Sequence, residues 1–489
     1  MRLRALAAVA LVASYYVLAL GLTALLVAFA ALMVRHEWLN IIDWGGLFAA
    51  VFLILKGLAP QRDRFEAPGP RLALGGHPDL ARVIESIVRS AGQKVPGEVY
   101  LVSHWTIWVA RRGGFTGFGN RRVMVLGFPA LQVLTVDQLR ALLAFQFGLS
   151  AHGDTEFSPW IYNTSAALKR TMDVLDKHKS FLRYVFRPYA GLFFRLTGKI
   201  YRQQVFRADL TAARFVGKEL YLGSLAISHD DSPFSTYWQQ SVAPLIGRGY
   251  LPPIAEGFGR FMERHPAVPA APSAVSAALG AEQLATNFPS VPERQAALRG
   301  LSLSPRARDS RPAMTLLRNL PEVEASLAEF SLGKKDCEWK TVGWEESAVL
   351  AHVPIWRATL AEQEAVCGGM TVADLATVHD RIKDMSWRFR APRGELPSRE
   401  RRRQAALDVL SSGLALALYE AGWKVESLPG HPVELSLGAE RIEPSGLLTA
   451  LAAGDLSGSA WHARSESLGI AALSLGAKTI LATASAAAR

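Results

Sequence analysis

From Ala5 to Val34 no side chain carries a charge, a run well beyond the roughly 20 residues a helix needs to cross the ~30 Å hydrocarbon core of a bilayer. The stretch predicts a membrane-spanning helix. A signal peptide is the competing reading, because Arg2 and Arg4 precede the run and Ala28-Phe29-Ala30 resembles a cleavage site. Its apolar core would then exceed the usual ~7–15 residues. A second apolar run, Trp44 to Leu55, reaches spanning length when Ile41 to Leu58 is counted, with Asp43 and Lys56 near its ends. Trp38 and Trp44 then fall at the membrane interface, and Lys56 is placed to snorkel. Residues 1–60 are therefore expected to form a transmembrane hairpin. Arg2, Arg4, Lys56, Arg62 and Arg64 outnumber Arg35 in the connecting loop. The positive-inside bias puts both termini and the soluble domains in the cytoplasm, at a bacterial-type inner membrane.

The rest of the 489 residues, in a chain 50% hydrophobic and 20% charged, is long enough for two further domains with sizeable cores. A disordered chain is excluded by that composition. The net charge of +11 suits an anionic neighbour, either an inner leaflet or a nucleic acid. Cys337 and Cys367 stand far apart without a CxxC spacing and read as ordinary thiols. Pro68-Gly69-Pro70 marks a linker, followed by a helix over 78–91 and a strand at Glu98–Val102. Trp108–Arg111 and Arg121–Val125 can pair across the glycine-rich segment GGFTGFG, which lacks the Gly-Lys-Ser/Thr of a phosphate-binding loop. Helices are expected at 160–178, 181–195, 200–216 and 313–327. Composition shifts near Gly333, dividing a domain over 61–330 from an accessory domain over 331–489. The latter predicts a strand at 338–342, helices at 354–366, 371–382 and 403–422, and a hairpin around Pro429-Gly430. Pro354 would suit the first position of its helix.

Between these lies TVDQLRALLAFQFGLSAHGD, residues 135–154. Thr135 and Gln138 have capping-box spacing, and Leu139, Leu142 and Leu143 share one face of the helix that follows. Phe145 and Leu149 stand one turn apart on it, with Gln146 between them. Taken alone this is an amphipathic core helix.

The order of features carries more. A transmembrane hairpin, the run ARRGGFTGFGNRRVMVLGFPAL into this helix, a later helix with Ala208-Asp209, and a closing Pro289 to Arg294 element resemble the membrane-anchored zinc metallopeptidases of the HtpX and CAAX prenyl endopeptidase group. The resemblance covers about residues 1–330. It implies an α+β, mostly helical fold: the hairpin, a gluzincin-like metallopeptidase domain, and a C-terminal α+β accessory domain. Members of that group hold Zn²⁺ with His-Glu-x-x-His, whose Glu deprotonates the bound water. The matching positions here are Phe145, Gln146 and Leu149. The third ligand, a Glu before Ala-Asp, maps to Val205, and a substrate-side His before the closing Pro maps to Phe288. Retained are Asp209, which the resemblance implies once supported a ligand imidazole, and Arg294. Phe, Leu and Val offer no lone pair to zinc, and Gln146 cannot accept a proton at neutral pH. Hydrolysis by the family mechanism is therefore excluded, and a plugged site without metal or other cofactor is expected. Asp209 would pair with Arg202 or Arg207, or face water.

Elsewhere, His152, Asp154 and His104, and separately His229-Asp230-Asp231, are weak metal candidates better read as loop residues. No G-x-S-x-G elbow marks a serine nucleophile. Trp387 to Arg403, with Arg401, Arg402 and Arg403 at its end, is a basic cluster for which lipid is favoured over nucleic acid, beside the plainer reading of a solvated loop. The expected function is that of an inactive metallopeptidase homologue, a membrane-bound scaffold for a peptide, a protein client or an active peptidase partner. An extended segment would add to an edge strand at Val123, Met124, Val125 and Leu126, with Arg294 alongside. The alternatives are an active hydrolase with a relocated site and a structural subunit of a membrane complex.

Overall fold

Leu80, Val83, Ile84, Ile87 and Val88 recur at helical spacing and are all buried on one face of α1 (Pro78–Ser90), which opens with proline where no backbone donor is needed. In the computed structural model the described residues are 65–112, 121–153, 183–227, 232–265, 289–300, 309–389 and 398–476, with scattered helical positions between 10 and 32 and between 168 and 176. They are mostly helical with some sheet, 65% against 10%, an α+β chain. Among the described residues no helix is long and apolar enough to cross a membrane. Most of the expected hairpin, including Trp38, Trp44 and Lys56, lies outside the described residues.

The chain divides into two compact units, Met1–Phe234 with Ala267–Ser331, and Ser235–Pro266 with Leu332–Arg489. Residues 235–266, placed by sequence in the first domain, thus belong with the second. In the first unit, β1 (Glu98–Val102), β2 (Ile107–Arg112) and β3 (Arg121–Gly127) form a sheet in the order β1-β3-β2. β1 pairs parallel to β3, and β2 pairs antiparallel with Ile107 opposite Leu126 and Arg112 opposite Arg121. This corrects the expected edge. β3 is the central strand, bonded on both sides, and Val123, Met124, Val125 and Leu126 have no exposed surface. Segment 70–72 bonds to the outer side of β1 through Leu72 N–H to Val99 O (2.8 Å) and Leu101 N–H to Pro70 O (3.0 Å).

After a short α2 (Phe128–Val133), α3 (Val136–Gly153) starts where the capping box predicts: Thr135 N–H donates to Gln138 Oε1 (2.8 Å) and Gln138 N–H to Thr135 Oγ1 (3.3 Å). α3 packs against β2, α1, α4 (Arg183–Val216) and α5 (Lys218–Ala226). The two helices expected after residue 181 are one, α4, continuing through Pro188. At Gly148 the approach of α3 to α4 is close, since a Cβ there would lie 3.1 Å from Ala208 Cα and 3.2 Å from Thr211 Cβ, so that the neighbouring helix would have to give by a few tenths of an ångström. Gly217, at φ 94°, turns the chain between α4 and α5 in a conformation that favours glycine. α6 (Val291–Leu298) is capped by Ser290 and Glu293, and α7 (Leu320–Leu332) follows.

In the second unit, β4 (Tyr250–Leu251) pairs parallel with β5 (Lys340–Thr341). α8 (Trp344–Glu362) begins ten residues before Pro354, so that proline is internal and not the first helical residue. α9 (Val378–Met385), α10 (Arg399–Glu420), α11 (Pro444–Ala453) and α12 (Gly458–Ser467) surround a core including Leu410, Leu414, Leu418, Leu448 and Trp461. β6 (Lys424–Glu426), β7 (Glu434–Leu437) and β8 (Glu440–Ile442) form an antiparallel sheet, with the expected hairpin between β6 and β7.

Candidate functional site

α3 and α4 bring together the positions that the resemblance singles out. Phe145 and Gln146 on α3 are buried, Leu149 one turn on is half-buried, and Val205 and Ala208 on α4 have no exposed surface. None of the side chains at 145, 149 and 205 carries a donor atom for a metal. One turn beyond Val205 lies Asp209, fully buried. Its partner is neither Arg202 nor Arg207 but Arg294 on α6. Arg294 Nε donates to Oδ1 and Oδ2 of Asp209 (3.0 and 3.2 Å), and Nη2 donates to Oδ1 (2.6 Å). The same Nη2 donates to Tyr221 Oη (2.8 Å), and the Tyr221 hydroxyl donates to Asp209 Oδ1. The guanidinium lies over the ring of Phe145, with Cζ 4.5 Å from its centroid, and Tyr221 stacks on that ring at 6.5 Å.

Each member is held by its own element. The capping box of α6 fixes Glu293, whose carboxylate accepts from Ser290 N–H (2.7 Å) and from Arg202 Nη2 (2.7 Å). Arg202 and the Ser290 donors lower the Glu293 pKa to about 2. Arg294, the next residue, is thereby aimed into α4 and α5. The turn at Gly217 returns α5 along α4 and presents Tyr221 to Asp209. Burial works against the charge of Arg294, while Tyr221 and Asp209 outweigh it and hold the guanidinium pKa above its ordinary value. Burial, assisted by Asp209 and opposed by Arg294, drives the Tyr221 phenol well above its usual range.

The residues present do not fit zinc. The ligand positions are apolar, and the buried carboxylate beside them, Asp209, is occupied by three donor groups of Arg294 and Tyr221. Among the described residues no group of three or more His, Cys, Asp or Glu side chains is placed to hold a metal ion. Phe288, Asp154, His229, Asp230, Asp231 and the His152 side chain lie outside the described residues, and His104 is exposed. A cleft of about 740 Å³ in the second unit gathers His379, Asp380, His462 and Glu466, which sequence reasoning did not single out.

Two further expectations change. Arg294 is buried in the ion pair and is not a peptide-facing cation. Of the basic cluster, Arg401 is exposed and Arg402 stacks on exposed Trp387 at 4.5 Å, but Arg403 donates to Ala452 O (2.8 Å) near the end of α11. Arg403 is a helix-capping residue there. Nothing local in the sequence connects Tyr221 to Asp209 twelve residues earlier; only the fold brings the two together. Comparison of the chain with protein-family models, with curated proteins and with solved structures finds no match.

Proposed function

We propose that the chain is a membrane-anchored, catalytically inactive relative of the zinc metallopeptidases that works as a peptide- or protein-binding scaffold. The observation carrying this reading is the filled site: apolar side chains at 145, 149 and 205, and a buried Asp209 already engaged by Arg294. Such a centre offers no ligand atoms for a water-activating ion and no free base at 145, 146, 149 or 205, while its packing leaves the surrounding frame intact. Membrane attachment draws support from Val17, Leu20, Leu25, Phe29 and Leu32, helical residues each more than half exposed in an uncharged segment. An inner-membrane location with cytoplasmic soluble parts follows from the charge bias alone.

The binding edge in this reading is β2. Among the described residues it has one strand neighbour, β3, and its outer side is bonded to no other strand. Backbone groups there can take an extended segment, which requires no metal. The client is a stretch of polypeptide, and an active peptidase partner presenting such a stretch fits equally.

Photo-crosslinkers at Trp108 and Ala110, in native membranes, are expected to yield a discrete polypeptide adduct that a crosslinker at exposed Glu85 on α1 does not. Equal adducts at all three positions would remove the β2 edge from the proposal. Stoichiometric, tightly bound zinc in the purified protein would overturn the inactive reading itself.

A further inference from the structure

We propose that Trp387 and the arginines around it form a second membrane contact, carried by the second unit, that binds anionic phospholipid headgroups. The proposal rests on the membrane-anchored reading and adds to it a surface that responds to lipid charge. α9 ends at Met385, and just beyond it the chain turns Phe389 into the core at 6% exposure while leaving Trp387 60% exposed. An indole so placed keeps much of its apolar surface in water. The start of α10 packs beside it: the Arg402 guanidinium lies over the ring, with Cζ 4.5 Å from the centroid. Arg388, next to Trp387, and Arg399 and Arg401, next to Arg402, are all exposed. Among the described residues none of these four arginines has a carboxylate within ion-pair distance.

The charge order at the start of α10 is the reverse of what a helix favours. Its first residues bring Arg399, Arg401, Arg402 and Arg403 against Glu400 alone, at the end where the backbone dipole attracts anions and repels cations. Ser398 Oγ accepts from Arg401 N–H (3.3 Å), and Arg403 is turned away to Ala452 O. The other three guanidinium groups are left to an anion from outside, and their planar forks suit the oxygens of a phosphodiester. Two observations select lipid over nucleic acid. A single strand is held by aromatic platforms in succession, whereas here one face of Trp387 is covered by Arg402 and Phe389 is buried. A tryptophan ringed by arginines suits a bilayer interface instead, with the indole at the upper acyl chains and the cations on the phosphates. The uncharged N-terminal run, exposing Val17, Leu25 and Phe29, would also hold the chain at a bilayer, where the local lipid concentration lets a modest patch engage.

The test uses the full-length chain with vesicles of phosphatidylcholine, alone or mixed with phosphatidylglycerol, brominated near the headgroup end of their acyl chains. The quenching due to Trp387 is the difference between the unaltered chain and Trp387→Phe. It is expected with phosphatidylglycerol and not with phosphatidylcholine alone. In Arg399→Gln/Arg401→Gln/Arg402→Gln it should fall at least about fivefold, the weight of a single basic residue at an anionic surface. No difference signal in either lipid, or equal signals in both, would overturn the proposal. Flotation with phosphatidylcholine vesicles reports the anchor separately. A chain that floats there without a Trp387 signal in either lipid keeps the anchored reading and loses this surface. A chain that floats only with phosphatidylglycerol, and no longer does so as the triple variant, keeps this surface and loses the anchored reading. Single-stranded RNA bound by the unaltered chain but not by the triple variant, with no lipid signal, overturns the proposal and assigns the arginines to nucleic acid.

Discussion

At the scale of single residues, close approach and burial set the sharpest constraints. Gly148 faces Ala208 at a distance that a Cβ would reduce to 3.1 Å, with backbone and not a flexible tip as the obstacle. Gly148→Val is expected to cost about 2 kcal/mol by forcing α3 and α4 apart, read as a lower thermal midpoint; an unchanged midpoint would show that the helices separate freely. Cys367 is fully buried and its thiol pKa is raised to about 11, chiefly by burial with a contribution from Glu364. A thiol-specific reagent at pH 8 should therefore reach Cys367 only on unfolding, whereas rapid native-state labelling would contradict its placement. What could be read here from sequence was chemical identity: that Phe145, Leu149 and Val205 bring no ligand atom. The partner of Asp209 could not be read, because Arg294 is 85 residues away and two other arginines stand closer along the chain.

Elements follow local rules where the rule is local. α1 comes from its apolar period and proline start, α3 from the Thr135–Gln138 box, and β1 from a short apolar run bounded by turn residues. Thr135→Ala removes one of the two reciprocal cap bonds and is expected to cost about 1 kcal/mol, measurable as increased amide exchange in the first turn of α3 with the core of α4 unaffected. Exchange rising equally in both helices would mean that the box does more than cap. Local rules failed at Pro354 and at the strand order. A proline within α8 is tolerated because tertiary packing on both sides of it outweighs the lost bond. β3 reads equally well as edge or centre from its own residues, since an apolar, β-branched run fits any well-covered strand. Only its pairing with both β1 and β2 places it in the middle, and this moves the available edge to β2.

At the scale of the whole chain, the second unit is discontinuous. Trp344 Nε1–H donates to Pro253 O (3.0 Å), its indole leaves no space for a side chain at Gly257, and β5 pairs with β4. A fragment of 332–489 alone would expose Trp344 and lose that ladder. It is expected to aggregate unless residues 235–266 are supplied, and a monodisperse, cooperatively unfolding fragment would refute the division. The same unit should be acid-sensitive. His352 is half-buried, stacks on Trp356, and has its pKa lowered by burial from 6.5 to about 4. The unfolded chain takes up this proton near pH 6.5 and the folded chain only near 4, so the stabilisation is complete above 6.5 and is lost as the pH falls between the two values. The loss is about 2 kcal/mol after allowing for partial exposure. His352→Gln should flatten the decline of the thermal midpoint over that range, and an equally steep decline would assign it to other groups.

Side-chain chemistry and short-range periodicity were enough to mark the uncharged N-terminal run, the start of α3, and the absence of ligand atoms at 145, 149 and 205, because each depends on residues within a few positions of one another. The choice of Arg294 for Asp209, the central place of β3, and the joining of 235–266 to the second unit were decided by tertiary structure. In each case groups far apart in sequence meet only after the chain has closed its loops, and burial then makes the right partner matter.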